Sequence, residues 1–264
     1  MIQITSTNNR LIKNIKSLYR KKGRQKHNSF IVEGIKIIEE AIENDYPIKH
    51  IVYTDYLLEN EEGKALFSKI EKLNNLVNVP ENIFKEISDT ENPQGIIGIT
   101  NIVPRDIKEI YDLENKRLLF LDGLQDPGNM GTIIRTADAF SMGGIIIREG
   151  SVDPYNPKVI RATMGSIFRV PLYFTDGIEE LKNLKSKGVN IYSTSLDGSI
   201  AIYKADFMEE FILSIGNESR GVSKEVLSLS NKLIKIPMTG KTESLNAAVA
   251  ASIIMYEAMK GRIG

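Results

Sequence analysis

The residues of this chain that could do chemistry lie in three short loops, each of which follows an apolar run. The segment "DPGNMGTIIR" places Asn129 between two glycines and Arg135 six residues further on. The segment "IGNESRGVS" carries Glu218, and "TGKTESLN" brings Ser244 and Asn246 into a long helical pattern. In parallel sheets such strand ends share one edge, where open α/β proteins bind ligands. Three loops with neutral hydrogen-bonding groups, one arginine and one glutamate therefore suggest a site at that edge.

The first loop matches neither of the common phosphate-binding templates. Its glycines, Gly123, Gly128 and Gly131, are spaced G-x4-G-x2-G, whereas a dinucleotide-binding loop needs G-x-G-x-x-G. The start of a phosphate loop fits, but the sequence continues with Asn-Met where Lys and Ser or Thr are required. A nucleotide-dependent oxidoreductase is therefore a weak alternative. By itself the loop is also compatible with a helix cap at Asn129 or Thr132 followed by an exposed arginine.

Composition limits the classes to which the protein can belong. The 264 residues suffice for one large or two ordinary domains. The absence of cysteine excludes disulfides and thiolate metal sites, and with only His27 and His50 a zinc site is not expected either. No apolar run approaches the roughly 18 residues of a membrane span, and the N-terminus lacks the apolar core of a secretory signal. We expect a cytoplasmic protein without a metal or a membrane partner.

A net charge of zero conceals a basic N-terminal segment. Residues 1–30 contain eight Lys and Arg residues and no acidic residue. Such a run can be the solvated face of a helix, or it can be an arm that neutralises nucleic-acid phosphates. The candidate RNA-binding residues of this arm are Arg10, Lys13, Arg20, Lys21, Lys22 and Arg24.

Alternating strand and helix patterns predict two α/β domains. Short apolar runs and amphipathic stretches over 30–103 indicate a compact first module. After a polar linker, a second series of strands alternates with helical stretches and ends in a long helix over 244–262, which favours a mainly parallel sheet covered on both faces. The strands predicted in this series are Arg117–Leu121, Gly144–Arg148, Asn190–Thr194, Phe211–Ile215 and Lys232–Pro237. The predicted boundaries are 1–104 for the first domain, 105–116 for the linker and 117–264 for the second domain.

Three segments resemble a known family. "NMGTIIRTADAF", "IGNESRGVS" and "IPMTGKTESLNAAVAASIIMYEA" are similar, in order and separation, to the motifs of SpoU-type (TrmH-like) RNA ribose methyltransferases of the SPOUT superfamily. The match covers 117–260, and "FIVEG" and "ENPQGIIGI" resemble parts of the family's RNA substrate-binding domain. The resemblance implies an α/β catalytic domain with a mainly parallel sheet and a deep trefoil knot, preceded by a smaller α/β substrate-binding domain. Ser141 departs from the pattern, because the family often has glycine there.

The resemblance also implies a cofactor and a catalytic set. S-adenosylmethionine would lie in the knot, and its lack of a phosphate agrees with the neutral loops. The groups that would hold it belong to Thr194, Ser195, Leu196, Ile215, Gly216, Ile236, Met238 and Leu245. The catalytic residues would be Asn129, Arg135, Glu218, Ser244 and Asn246.

Each catalytic candidate has an expected role and a plainer alternative. Arg135 would assist proton loss from the ribose hydroxyl or position a phosphate, and positioning is favoured because a guanidinium is almost never deprotonated in proteins. Glu218 would hold Arg135 or the substrate, and the other three would orient the ribose. More plainly, Ser244 is a good helix cap and Glu218 could complement a helix N-terminus.

The implied function is methylation of a ribose 2′-hydroxyl, with ribosomal RNA as the expected substrate. The first alternatives are an RNA-binding or ribosome-assembly factor that has lost activity, and the same chemistry on transfer RNA. In this family the last helix tends to form a homodimer, and small residues such as Ala247, Ala248 and Ala251 would permit close approach. The segment 151–171 is also similar to the family, and its Lys158, Arg161 and Arg169 could contact RNA phosphates or lie on a solvated helix.

Overall fold

The computed structural model describes residues 2–197 and 200–260. The strands are β1 (Ile2–Gln3), β2 (Ser29–Glu33), β3 (Ile48–Tyr53), β4 (Leu76–Asn78), β5 (Ile96–Asn101), β6 (Arg117–Asp122), β7 (Gly144–Arg148), β8 (Leu172–Thr175), β9 (Asn190–Thr194), β10 (Ile200–Ala201), β11 (Phe211–Gly216) and β12 (Lys232–Lys235). The α-helices are α1 (Arg10–Leu18), α2 (Lys21–His27), α3 (Ile35–Glu43), α4 (Glu61–Ile70), α5 (Glu81–Ile87), α6 (Pro127–Ala139), α7 (Pro157–Thr163), α8 (Glu179–Ser186), α9 (Lys224–Leu229) and α10 (Ala247–Lys260).

The chain forms two compact units. Unit 1 contains the chain up to Val103 together with Asp153–Phe168, and unit 2 contains Pro104–Val152 and the chain from Arg169 onward. The segment 153–168 belongs to unit 1 because its rings pack there: Tyr155 lies 4.9 Å from Phe30 and Phe168 lies 4.8 Å from Tyr46, between ring centroids. The segment predicted as a linker lies in unit 2, where Ile110 is buried in the core. The functional boundaries at 1–104, 105–116 and 117–264 stay a prediction.

Unit 1 has a mixed five-stranded sheet in the order β1-β4-β3-β5-β2, with β5 antiparallel to both of its neighbours. The basic N-terminal segment is not an extended arm. Its apolar residues Ile12, Ile15 and Leu18 recur at the helical spacing, and all three are buried in the core of the unit. Helix α1 therefore lies on the sheet and presents its cations on the opposite face.

Unit 2 contains a parallel seven-stranded sheet in the order β10-β12-β9-β11-β6-β7-β8. The predicted mainly parallel sheet is confirmed. Strands β7 and β9 have the predicted bounds, β6 and β11 are each one residue longer, and β12 ends at Lys235 rather than Pro237. Strands β8 and β10 were not predicted. The trefoil knot stays a prediction.

The sheet changes winding direction between β6 and β11. From β6 the chain passes through α6 to β7, while from β11 it passes through α9 to β12 on the far side of β9. Connections that leave two neighbouring strands in opposite directions open a crevice at the carboxyl ends of those strands. The loops that carry Asn129 and Glu218 follow these two strands, so the fold itself sets the place of the candidate site.

Two helix starts differ from the sequence expectation. Helix α6 begins at Pro127, before both of the cap positions considered in the sequence, Asn129 and Thr132. The Asp126 side chain caps it by accepting a hydrogen bond of 2.7 Å from the Asn129 backbone N–H. Asn129 therefore lies in the first turn of a helix. Helix α10 begins at Ala247 rather than Ser244. Residues 261 and 262, predicted as the end of this helix, lie outside the described residues.

Candidate active site

Three of the predicted catalytic residues form one chain of hydrogen bonds. Asn246 caps α10, since its Oδ1 accepts from the backbone N–H groups of Ala248 and Val249 at 2.9 and 3.2 Å. Its Nδ2 must then face away from the helix, and it donates to Oδ1 of Asn129 at 2.7 Å. The remaining Nδ2 of Asn129 donates to Oε1 of Glu218 at 3.0 Å. The N-terminus of α10 thus fixes the orientation of the Asn246 amide, and that amide in turn fixes the orientation of the Asn129 amide.

Glu218 completes this chain as a negative charge at the start of α6. Its carboxylate also accepts from the backbone N–H groups of Gln125 at 3.1 Å and Asp126 at 2.9 Å. Burial by itself raises the pKa of Glu218, but the bonds from the Asn129 side chain and from backbone N–H groups outweigh it. The net pKa of Glu218 lies below the ordinary value. Glu218 therefore binds the beginning of α6, the plainer role, and its predicted partner Arg135 is not among its contacts in the described chain.

A tight turn presents Glu218 to this helix. The backbone groups of Asn217 and Gly221 bond to each other in both directions, at 2.8 and 3.1 Å. The Asn217 side chain donates to the carbonyl oxygen of Gly123 in the loop after β6, at 3.0 Å. Gly216 permits the close approach, because a Cβ at this position would lie 2.0 Å from the Gly221 carbonyl carbon. Only glycine fits there, and the turn is held against the first loop.

Asp122 anchors the far side of the same turn and was missed in the sequence. This buried residue ends β6, and its carboxylate accepts from the Ser223 backbone N–H at 2.7 Å and from Arg148 Nη1 at 3.0 Å. Arg148 also forms an ion pair of 3.2 Å with Glu225. The signal available was an aspartate at the end of an apolar strand and directly before a glycine.

Arg135 and Ser244 are not joined to this chain of hydrogen bonds. Both side chains are exposed, and within 2–197 and 200–260 neither forms a hydrogen bond or an ion pair. Six residues along a helix correspond to about 9 Å and a rotation of roughly 120° from Asn129. Arg135 therefore lies on an accessible face of α6, away from the buried Asn129, and its charge is available to a ligand.

The predicted cofactor residues follow three neighbouring strands. Thr194 ends β9 and Ser195 follows it, Ile215 and Gly216 end β11, and Ile236 follows β12. The registers of β9, β11 and β12 bring these ends to one edge of the sheet, and Ser195 donates its backbone N–H to the carbonyl of Ile234 at 3.1 Å.

The remaining cofactor candidates are apolar and accessible. Leu196, Met238 and Leu245 are 66%, 38% and 36% exposed. Five of the eight candidates have apolar side chains and none is ionisable, which suits a ligand that has an adenine ring and no phosphate.

The RNA-binding candidates divide into five exposed cations and one buried one. Arg10, Lys13, Arg20, Lys21 and Lys22 are exposed on α1, on α2 and on the turn between them. Arg24 is only 3% exposed. Its Nη2 lies 2.7 Å from Asp153 Oδ2, and its Nη1 donates to the Leu18 carbonyl at 2.8 Å. The prediction that Arg24 meets RNA phosphates is wrong for this structure, because the guanidinium is used inside unit 1.

The cations of segment 151–171 are also engaged in part. Arg161 pairs with Asp89 at 3.3 Å in unit 1, and Arg169 pairs with Asp138 at 2.8 Å in unit 2. In the part of the chain that the structure describes, no group of three or more His, Asp or Glu side chains could hold a metal ion. Over the same residues no helix is long and apolar enough to cross a membrane.

Comparison with known proteins assigns the family. Residues 116–256 match the model of the SpoU rRNA methylase family. The chain belongs to this family. Residues 9–98 match the MRM3-like substrate-binding domain. The family predicted from the three motifs, and an RNA 2′-O-methyltransferase activity, are therefore confirmed.

Relatives agree over nearly the whole length. The 23S rRNA (guanosine(2553)-2′-O)-methyltransferase RlmP of Bacillus subtilis is 32% identical over 97% of this chain and 98% of its own. The AdoMet-bound rRNA methyltransferase of Sinorhizobium meliloti superposes with a TM-score of 0.87 at 32% identity, covering 99% of this chain and 98% of that one. The SpoU methyltransferase AviRb of Streptomyces viridochromogenes, in complex with AdoMet, gives 0.86 at 26% identity over 97% and 99%.

Proposed function

We propose that this member of the SpoU family transfers a methyl group from S-adenosylmethionine to a ribose 2′-hydroxyl of ribosomal RNA. The observation that carries the proposal is the chain of hydrogen bonds through Asn246, Asn129 and the Glu218 carboxylate, at the point where the sheet changes direction. Relatives named as acting on 23S rRNA, at a guanosine and at a uridine, support the ribosomal substrate. Such a substrate also makes the cytoplasm the expected location.

The cofactor would lie at the ends of β9, β11 and β12. S-adenosylmethionine supplies an electrophilic methyl group on a sulfonium sulfur when it is bound. Backbone groups near Thr194, Gly216 and Ile236 would hold its polar edges, and Leu196 and Met238 would cover its apolar parts. The predicted trefoil knot would bring these loops together. Because the cofactor carries no phosphate, the site needs no lysine or glycine-rich phosphate loop, which agrees with the failure of both templates.

Arg135 would position the RNA. A guanidinium stays protonated in proteins and binds phosphate oxygens through two parallel N–H···O hydrogen bonds. Arg135 is exposed, and within the described ranges it has no competing acidic partner. Holding a phosphate next to the reacting nucleotide would align the 2′-hydroxyl with the methyl group, and alignment of this kind can supply much of the rate enhancement of a transfer reaction.

Glu218 and the two asparagines would form a fixed wall of the site. A carboxylate that accepts three N–H bonds and has a lowered pKa is a poor proton acceptor, so Glu218 is unsuited to deprotonate the hydroxyl. Its function would be to hold Asn129 and the first turn of α6 in place. Ser244, which lies before α10 and is exposed, would contact the ribose from the opposite loop.

A homodimer through α10 belongs to the same proposal. Val249 and Tyr256 are exposed on this helix, and Ala247 is small and partly exposed, which would let a second copy approach closely. Ala248 and Ala251, also predicted for this contact, are instead buried within the chain. Light scattering should give twice the chain mass for the wild-type protein. Val249→Glu should reduce that mass to one chain because it places a charge in an apolar contact.

Methyl transfer to unmodified ribosomal RNA tests the proposal. Labelled S-adenosylmethionine, nuclease digestion and mass spectrometry of nucleosides should reveal a 2′-O-methyl nucleoside. It should vanish with Arg135→Ala and persist with Arg105→Ala, which removes another exposed arginine of unit 2. Transfer to transfer RNA alone would favour that substrate instead. Cofactor binding without transfer to either RNA would support a factor that has lost activity.

A further inference from the structure

An open groove in unit 1 combines positive charge with space for a ligand. It has a volume of about 610 Å³ and is lined by residues of α1, of the end of α2 and of β3. This volume lies within the range of roughly 300–1,000 Å³ that small-ligand pockets have. Arg10, Lys13 and Lys26 contribute three cations, and His27 and His50 contribute imidazole rings. No aspartate or glutamate belongs to the described lining, so the groove suits an anion.

Two polar atoms of the lining residues are buried and lack a partner. Oδ1 of Asn14 and Nδ1 of His50 have no hydrogen-bond partner within the described chain. A buried polar atom without a partner costs free energy, so such atoms are rare unless a ligand or water completes them. Burial first, and then the charge of Lys49, lower the pKa of His50. Its ring is therefore neutral near neutral pH and can exchange hydrogen bonds with an uncharged group.

The walls of the groove are held in place independently of any ligand. Gly23 lets α2 pack against the end of α1, since a Cβ there would lie 2.0 Å from the Ser17 carbonyl oxygen. The buried Arg24 pins α2 through Asp153. Lys49 donates to the carbonyl of His27 at 3.1 Å, which ties the end of α2 to β3.

A bulge sets the position of His50. The pairing of β3 with β5 changes register between Ile48 and His50. Bulges often re-aim a side chain that a regular strand would place on the other face. The backbone thus holds His50 in the wall of the groove without a ligand.

We propose that this groove holds one unpaired nucleotide of the RNA substrate. Arg10, Lys13 and Lys26 bind its phosphates, and Asn14 and His50 hydrogen-bond its base or sugar. This inference rests on the proposed function for the identity of the polymer. Proteins read RNA sequence mainly at single-stranded positions, where splayed bases expose their hydrogen-bonding edges. Arg20, Lys21 and Lys22 lie exposed on the same helical pair outside the groove, and such continued charge fits the successive phosphates of a chain better than a free nucleotide.

Binding of the full-length protein to a labelled 12-nucleotide single-stranded RNA of mixed sequence tests the inference. The double variant Asn14→Ala/His50→Ala should raise Kd by about tenfold, as expected for the loss of two neutral hydrogen bonds. The matched control is Tyr173→Phe. Tyr173 also has an unpartnered buried polar atom within the described chain, but it lies in unit 2 and does not line the groove, so this variant should bind like wild type.

Salt dependence separates the two kinds of contact. Lys13→Ala and Lys26→Ala should each reduce the slope of log Kd against log salt by about 0.7, the value for one phosphate contact on a single strand. The Asn14→Ala/His50→Ala variant should keep the wild-type slope because it removes no charge at neutral pH. Thermal unfolding followed by circular dichroism would establish that each variant is folded.

Three results would overturn the inference. These are wild-type RNA affinity in the folded Asn14→Ala/His50→Ala variant, an equal loss in Tyr173→Phe, and tight binding of uridine or adenosine 5′-monophosphate that the RNA does not displace. Failure of the proposed function is a separate result, because RNA binding is measured without S-adenosylmethionine. A wild-type protein that binds RNA through the groove but transfers no methyl group would disprove the activity alone.

Discussion

Replacing Asn129 by aspartate would test the chain of hydrogen bonds at its centre. The substitution keeps the shape of the side chain and the oxygen that accepts from Asn246. It removes the N–H group that donates a hydrogen bond of 3.0 Å to Glu218. A second carboxylate oxygen would then face Glu218 at that distance. Two unit charges 3.0 Å apart repel by about 1.4 kcal/mol in bulk water and by about 5.5 kcal/mol at the effective dielectric of a protein surface. Glu218 is exposed, so the repulsion should lie between these limits.

The pair of carboxylates should make methyl transfer by Asn129→Asp faster at low pH than at high pH. Two carboxylates that share a site hold one proton more tightly, so the pKa of the pair is raised. With that proton in place, a carboxylic acid donates to Glu218 much as the amide did. Above the raised pKa the contact becomes repulsive. We expect methyl transfer by Asn129→Asp to be about 100-fold below wild type at pH 8, which corresponds to roughly 2.7 kcal/mol of lost alignment and repulsion. The deficit should shrink at least tenfold, an order-of-magnitude expectation, when the pH is lowered to about 6.

The free energy of unfolding of Asn129→Asp should depend on pH with the same sign as its activity. A folded-state pKa above the unfolded value means that the folded protein binds more protons, so the free energy of unfolding falls as pH rises through the folded pKa. Urea unfolding at several pH values measures this effect. Asn129→Ala is the control, because it removes both hydrogen bonds without adding a charge and should show no such dependence. Parallel pH profiles of Asn129→Asp and Asn129→Ala, in both rate and stability, would refute the reasoning.

Three further substitutions have expected outcomes in stability. Glu218→Gln should remove an acid-sensitive contribution: the lowered pKa of Glu218 stabilises the fold above the ordinary value of 4.5, and this is lost as pH falls through the folded pKa, so the Tm of the variant should change less with pH in acid. Arg24→Ala should lower the free energy of unfolding by about 3–5 kcal/mol in urea, because it leaves Asp153 unpaired; a loss below about 1 kcal/mol would contradict a structural role. Ser141→Gly should raise that free energy by about 0.5–1 kcal/mol, because Ser141 has a φ of +50° that glycine adopts without strain; unchanged or lower stability would count against this account.

Strands β6, β7 and β11 of unit 2 could be predicted well because each contains at least three consecutive apolar residues. Strand β8 was missed because it has only four residues, of which only the first two are buried. The prediction of the helix starts failed for a different reason. At α6 the cap is Asp126, directly before a proline, and this Asp-Pro pair was visible in the sequence.

The basic segment shows which errors could have been avoided. The spacing of Ile12, Ile15 and Leu18 already indicates an amphipathic helix rather than an arm. The burial of Arg24 could not be predicted in the same way, because its partner Asp153 lies 129 positions further along the chain. Segment 153–168 packs in unit 1 although the chain reaches it only after the first strands of unit 2. Local sequence patterns do not indicate that the chain returns to unit 1.

For the site, residue types were predictable but their connections were not. For Asn246, the capping of α10 is what directs its remaining amide group toward Asn129. The helix N-terminus holds Oδ1, so Nδ2 has one direction left, toward Asn129. Aspartate and serine cap helices about as well as asparagine, but a carboxylate has no N–H to donate and a hydroxyl is too short to bond on both sides. Among asparagine, aspartate and serine, only asparagine can both cap the N-terminus of α10 and orient Asn129 toward Glu218.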